Sequence, residues 1–219
     1  MLIAIENLLN GDQIARLGQA AAALNFSDGK ATAGRFVKDV KANDQAVPSP
    51  ELRVVLTAVE HALAGNAMFQ SAARPRAITP LILSRYRAGQ TYGSHVDDAV
   101  MKGLRTDLSF TVFLADPDSY DGGALIIDEP FESRAIKLRA GDMILYPSTT
   151  LHRVEPVTRG QRLAVVGWVQ SLIRHAEQRE MLFDLDQAVE TVFAEHGKSA
   201  LFDRLAKTRS NLLRMWVDA

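Results

Sequence analysis

The stretch "AGDMILYPSTTLHRVEPVTRGQRLAVVGWVQS", residues 140–171, decides the fold. Three apolar, β-branched runs follow one another, with Gly141-Asp142 ahead of them and Arg159-Gly160 between the last two. The gaps between the runs hold no helical segment, which argues for antiparallel strands. The same texture extends backwards through "AITPLILSRYR" (77–87), "DLSFTVFLA" (107–115), "GGALIID" (122–128) and "AIKLRAGDMILYPS" (135–148). Asp116-Pro117 and Gly122-Gly123 punctuate it where a jelly roll would turn. Short strands with turns and no helices between them indicate an antiparallel sandwich or jelly roll rather than a βαβ sheet.

The flanks read differently. In "GDQIARLGQAAAAL" (11–24), Ile14, Leu17, Ala21 and Leu24 share one helical face. Residues 25–50, "NFSDGKATAGRFVKDVKANDQAVPSP", read as a long loop, and an ordered loop of that length usually has a task. Ser49-Pro50 supplies an N-cap and a proline at N1, opening a helix that ends near Gly65. After residue 173, Leu182, Leu185, Val189 and Val192, then Leu201, Leu205, Thr208, Leu212 and Met215, recur at helical spacing on either side of Gly197. That is a helical hairpin, expected to pack on the barrel or to join subunits of a homo-oligomer. The expected class is α+β: an N-terminal helical and loop region (1–77), a jelly-roll core (78–172) and a C-terminal helical extension (173–219).

Composition narrows the chemistry. A formal charge of −1 carries no electrostatic footprint for nucleic acid. No apolar run is long enough to span a membrane, and "MLIAIENLLN" lacks a basic n-region, so a cytoplasmic location is expected. There are no cysteines, which excludes disulfides, thiolate metal sites and cysteine nucleophiles. Any metal must be held by imidazole, carboxylate and water.

Five histidines and 26 acidic residues predict fewer than one His-x-Asp/Glu match by chance, and the chain holds two. His175 and Glu177 fall at the start of a helix, where residues i and i+2 point apart. His95 and Asp97, in "TYGSHVDDAV" (91–100), follow a strand, and in an extended chain i and i+2 share a face. Asp98 then points the other way. His61 and His196 lie in helical segments and read as structural or solvated. His152 is the remaining histidine of the β region, either a surface residue at a strand start or a third ligand. Arg162 opens a strongly apolar strand, where it either snorkels outward or pairs with an anion.

The ordered set "SRYRAGQTYGSHVD", "GGAL" and "AGDMILYPSTTLHRVEPVTRGQRLAVVGWVQS" resembles the prolyl hydroxylase-like branch of the iron(II)- and 2-oxoglutarate-dependent dioxygenases, built on a double-stranded β-helix. The flanks "DGKATAGRFVKDVKANDQ" and "QREMLFDLDQAVE" resemble the bacterial PKHD-type hydroxylases in particular. The resemblance implies that His95, Asp97 and His152 hold Fe(II), that O₂ and 2-oxoglutarate bind beside it, and that Arg162 pairs with the far carboxylate of 2-oxoglutarate. Tyr86 matches a cosubstrate-binding tyrosine, or is a core aromatic with a satisfied hydroxyl. Where animal prolyl hydroxylases carry a tyrosine near the far carboxylate, this chain has Phe113, and Ser109 is the candidate replacement hydroxyl. L-ascorbate dependence, a peptide or small-molecule substrate and a link to iron uptake are further implications. A noncatalytic jelly-roll sensor and a nucleic-acid demethylase are the competing readings. Residues 25–48, with Thr32, Lys41, Asn43 and Gln45, and residues 98–106, with Lys102 or Arg105 available for an anionic substrate, are the candidate covers of the site.

Overall fold

A computed structural model describes residues 1–217 apart from Ala33 and Arg35. In chain order the first elements are β1 (Ile3–Ile5), α1 (Gly11–Ala22), β2 (Phe26–Asp28), β3 (Lys41–Ala42), β4 (Asp44–Ala46), α2 (Pro50–Gly65) and α3 (Ala67–Ala73). Next come β5 (Pro75–Ile78), β6 (Ile82–Arg87), β7 (Thr91–His95), β8 (Val100–Met101), β9 (Leu104–Arg105) and β10 (Leu108–Phe113). The chain continues through β11 (Asp121–Gly122), β12 (Leu125–Asp128), β13 (Ser133–Ile136), β14 (Met143–Pro147), β15 (His152–Val154), β16 (Val157–Arg159) and β17 (Gln161–Ser171). It ends on α4 (Ala176–His196) and α5 (Ala200–Trp216).

Two antiparallel sheets face each other. The larger has the order β1-β14-β10-β17-β6-β4-β2, with β5 also on β17; the smaller runs β13-β12-β15-β7-β3. The two-residue period of the strands sorts their side chains cleanly. On the outer face of the larger sheet, Leu83, Phe110, Val112, Met143, Leu145, Leu163, Val165 and Val169 join Leu17, Val55, Val59, Leu63 and Phe69 from the helices in one core. The inner face carries Tyr86, Phe113, Ile144 and Tyr146, which pack against Leu125, Ile127 and Val154 of the smaller sheet. The jelly-roll and helical-flank expectations therefore hold, and no helix among the described residues is long and apolar enough to cross a membrane.

The helices start where their caps dictate. Asn10 and Gln13 form a reciprocal capping box on α1, and Ser49 Oγ accepts the Leu52 amide at the head of α2. Gly197 breaks α4 from α5 with a φ of 62°, a conformation that favours glycine. The pair docks on α3 through a buried ionic knot: Asp186 of α4 accepts from Arg74 Nη2 at 2.6 Å and also from Arg209 and Ser71. Arg179, buried as well, donates to the carbonyls of Ile173 and Arg174 at 2.8 Å, tying the first turn of α4 to the end of the barrel.

The segment 25–48 is not the plain loop its composition suggests. It supplies β2 and β4 to the larger sheet and β3 to the smaller one, so residues before 77 contribute to both layers. Lys41 pairs with Tyr92 and Asp44 pairs with Arg85, which takes the chain from one sheet to the other within three residues.

Candidate metal and cosubstrate site

Strand pairing brings the distant histidines together. His152 and His95 are register partners between β15 and β7, so both imidazoles stand on the inner face with ring centroids 4.2 Å apart. Asp97 lies just beyond β7, with Oδ2 at 3.8 Å from His152 Nε2. One ligand atom from each of His95, Asp97 and His152 falls within 4.8 Å of the others, the one such cluster among the described residues. All three side chains are at most a few per cent exposed. His95 Nδ1 lies 2.8 Å from the Gly93 carbonyl and His152 Nδ1 lies 3.0 Å from that of Thr150. Each Nδ1 can only donate there, which leaves each Nε2 lone pair for a metal. Burial, reinforced by the charge of His152, lowers the pKa of His95 from 6.5 to about 4, against the pull of the Gly93 carbonyl and Asp97. The ring is therefore neutral at neutral pH, the form a metal needs. Ser109 Oγ donates to Asp97 Oδ2 at 2.5 Å and contacts Ser148 Oγ at 2.8 Å, which leaves the other carboxylate oxygen unclaimed by it.

The remaining histidines are elsewhere. His61, His175 and His196 are exposed. His175 and Glu177 do approach, to 3.7 Å, because His175 is the N-cap of α4 with extended backbone rather than a helical residue. The helical-geometry reason for setting them aside does not hold; exposure and the lack of a third ligand set them aside instead. Asp98 is exposed at the cavity mouth, as the alternation beyond His95 requires.

Arg162 is the second residue of β17 and 2% exposed, so the inward reading applies rather than the snorkelling one. Its cross-strand partner is Tyr86, and its guanidinium carbon stands 5.3 Å from the Tyr86 ring and 5.4 Å from that of Phe113. It makes no ion pair among the described residues, and its Nε has no hydrogen-bond partner. Burial raises the Tyr86 hydroxyl pKa, with the Arg162 charge opposing. Phe113 presents a ring, with no hydroxyl, to Arg162. Ser109, however, does not supply one. Ser109 pairs with Trp168 and Phe113 with Ala164, so Ser109 is six residues along the ladder from Arg162, roughly 20 Å of strand. Its hydroxyl belongs to Asp97.

Tyr120 was not singled out by the sequence. It is fully buried beside Arg162, close enough that the guanidinium charge offsets part of the burial that raises its pKa, yet the two miss hydrogen-bond geometry and the phenol oxygen is unpartnered. The turn that places it needs Gly122 and Gly123 at φ of 67° and 64°; a Cβ on Gly123 would meet the Tyr120 ring at 3.2 Å. An aromatic just ahead of a glycine pair was the available signal.

Both groups open into one cavity of about 630 Å³ between the sheets. Its walls include Lys41, Asn43 and Gln45 from β3 and β4, and Val100, Met101 and Lys102 from the β8–β9 ribbon. Both segments expected to cover the site thus line it. Arg105 does not: it is paired with Asp107 at 2.8 Å and donates to the Ser171 carbonyl. Tyr92 stacks on His95 at 3.7 Å, and its hydroxyl pKa is raised, chiefly by burial. Lys41 has its pKa lowered to about 8 by burial, partly offset by Asp97 and Asp28.

Two buried facing sheets, a His-x-Asp…His cluster and a stranded arginine in one cavity define a jelly roll with a candidate site for a metal and a carboxylate. A sequence profile of the 2OG-Fe(II) oxygenase superfamily matches residues 81–170, and one of the PKHD-type hydroxylase C-terminal domain matches residues 177–218. PKHD-type hydroxylases of Maricaulis maris and Crocosphaera subtropica are each 47% identical to the chain over the whole of both proteins. The chain belongs to the PKHD-type hydroxylase family and is a 2-oxoglutarate-dependent dioxygenase. Among solved structures, a Pseudomonas putida prolyl-4-hydroxylase superposes with a TM-score of 0.56 at 17% identity, covering 78% of this chain and 92% of that one. A 2OG-Fe(II) oxygenase-family oxidoreductase from Burkholderia pseudomallei gives 0.57 at 18%, covering 80% and 86%. At these identities the likeness is one of fold. Membership implies Fe(II), 2-oxoglutarate and O₂, and the donor set fits: two imidazoles and a carboxylate suit Fe(II) and leave open positions, while the unpartnered guanidinium fits a carboxylate.

Proposed function

We propose that His95, Asp97 and His152 hold Fe(II), that Arg162 takes the far carboxylate of 2-oxoglutarate, and that the chain hydroxylates a small-molecule or peptide substrate. The observation that carries this reading is the convergence of the three ligand atoms within 4.8 Å in the cavity that also holds a buried, unpaired Arg162. With Fe(II), 2-oxoglutarate and O₂ bound, the chemistry supplied is oxidative decarboxylation to succinate and CO₂, coupled to hydroxylation of a substrate C–H bond. The protein's own part is placement. The Gly93 and Thr150 carbonyls hold both imidazoles in one tautomer and orientation. Ser109 fixes the Asp97 carboxylate against rotation. Arg162 offers a fork of donors in a dry pocket walled by Tyr86 and Phe113, with Tyr120 behind it as a positioning residue. Tyr86 closes the cavity wall beside that fork. The cover segments 25–48 and 98–106 limit solvent access to the reacting atoms.

Anaerobic addition of Fe(II) and then 2-oxoglutarate tests the reading. A visible metal-to-ligand charge-transfer band should appear, and should be absent in His95→Ala. Its absence in the unmodified protein would refute the assignment. Succinate release, with and without ascorbate, against panels of peptides, amino acids and other small molecules then addresses the substrate and the reductant.

A further inference from the structure

We propose that Lys41 is the anchor for a carboxylate carried by the substrate, which makes the substrate class a carboxylic acid. The inference rests on the reading above, because it needs Arg162 and the metal to claim both ends of 2-oxoglutarate.

Lys41 comes from the segment that bridges the two sheets, and its register partner is Tyr92. Its ammonium stands 5.0 Å from the centroid of the Tyr92 ring, and that ring stacks on His95 at 3.7 Å. Together these distances put the charge within roughly 9 Å of the His95 imidazole, on the metal side of the cavity. The residue is 6% exposed and lines the cavity. An ammonium has three donors. Among the described residues Lys41 uses one, to Thr32 Oγ1 at 2.9 Å, and no carboxylate lies within ion-pair distance. Thr32 is itself held by Gln45 Nε2 at 2.8 Å, so the one partner Lys41 has is fixed in place and neutral. Asp97 and Asp28 act on it only from beyond ion-pair distance; a buried cation with no anion in contact is costly, and it persists most readily where a ligand supplies one.

Charge counting in the cavity agrees. Among the described residues its charged lining consists of Lys41, Lys102 and Arg162 against Asp97 and Asp98, an excess of one positive charge. A divalent cation and dianionic 2-oxoglutarate cancel each other, so the excess survives loading. Asp97 is committed to the metal, Arg162 to the cosubstrate, and Asp98 and Lys102 stand at the mouth. The cation left inside is Lys41. One carboxylate balances it, and a cavity of about 630 Å³ has room for a second small molecule beside 2-oxoglutarate.

The test uses the full chain loaded with Zn(II), which is redox-silent, and 2-oxoglutarate. Calorimetric titration with the N-acetyl-L-amino acids and with their primary amides compares carboxylate and neutral forms of the same probe. Free acids that bind should do so at least tenfold more tightly than their amides. Lys41→Met should abolish that preference, and Lys41→Arg should retain part of it. A wild-type protein with no acid-over-amide preference, or a Lys41→Met protein that keeps it, overturns the proposal. Titration with 2-oxoglutarate alone separates the outcomes. If 2-oxoglutarate fails to bind the wild type, the functional reading itself fails. If Lys41→Met weakens 2-oxoglutarate tenfold or more, Lys41 serves the cosubstrate and the substrate assignment is wrong. A ligand-free melting scan of each variant reports folding independently.

Discussion

Replacing Arg162 with methionine should stabilise the ligand-free protein while destroying its response to 2-oxoglutarate. Arg162 is 2% exposed, unpaired among the described residues, and its Nε is unpartnered. Exchanging buried ionic groups for apolar ones of similar volume is often stabilising, by about 1–4 kcal/mol. Loss of the two ring contacts, at 5.3 and 5.4 Å, offsets about 0.5–1 kcal/mol each. The net expectation is a gain of about 1 kcal/mol, which for a chain of this size raises Tm by about 2–4 °C. The same substitution removes a charged partner from a desolvated carboxylate, a loss of about 2–5 kcal/mol and so roughly 30- to 4,000-fold in 2-oxoglutarate affinity. At a ligand concentration of 100 Kd the wild type gains about 2.7 kcal/mol, a further rise of about 5–11 °C, and the variant should gain almost none at that concentration. Differential scanning calorimetry of the Zn(II)-loaded proteins, with and without 2-oxoglutarate, reads both effects. A variant that melts below the ligand-free wild type, or that keeps the 2-oxoglutarate shift, would show that Arg162 is a structural residue.

Other consequences can be checked more briefly. Asp186→Ala strands the buried Arg74, so it should cost about 3–5 kcal/mol and lower Tm by roughly 6–20 °C; a drop under about 2 °C would dismiss the knot as a stabilising feature. Ser109→Ala frees the Asp97 carboxylate and should weaken metal binding about 10- to 100-fold by competition titration, with Tm of the metal-free protein little changed. His95 titrates near 4 when folded and near 6.5 otherwise. Its folded pKa is depressed, so the unfolded chain binds the proton first as pH falls. Metal-free stability should therefore be full above 6.5 and decline between 6.5 and 4, by on the order of 3 kcal/mol, in urea titrations. His95→Gln should flatten that slope, and an unchanged slope would assign it to other groups.

Much of the site was legible because its pieces obey local rules. The extended chain after β7 puts His95 and Asp97 on one face, and His152 and Arg162 stand at strand starts bounded by turns. What failed depended on long-range register or on burial against type. Ser109 looked available for the far carboxylate until the β10–β17 pairing placed it beside Asp97 instead. Lys41, Asn43 and Gln45 alternate with period two, but the cavity-facing members are polar, so the pattern reads as loop. Asp186, Arg74 and Arg179 are charged and carry no local signal of burial, and only their tertiary partners show them to be interior. His175 illustrates the reverse error, since an N-cap does not follow helical geometry.

The short run from Lys41 to Ala46 pairs with the smaller sheet at one end and the larger at the other. It acts as a clasp: the two walls cannot part along that edge without breaking both ladders. The clasp also separates tasks along the chain. The residue proposed to meet the substrate lies on a segment distinct from the strands that carry the proposed metal ligands, so on that assignment a change of substrate needs only a handful of clasp side chains and leaves the oxidising centre as it is.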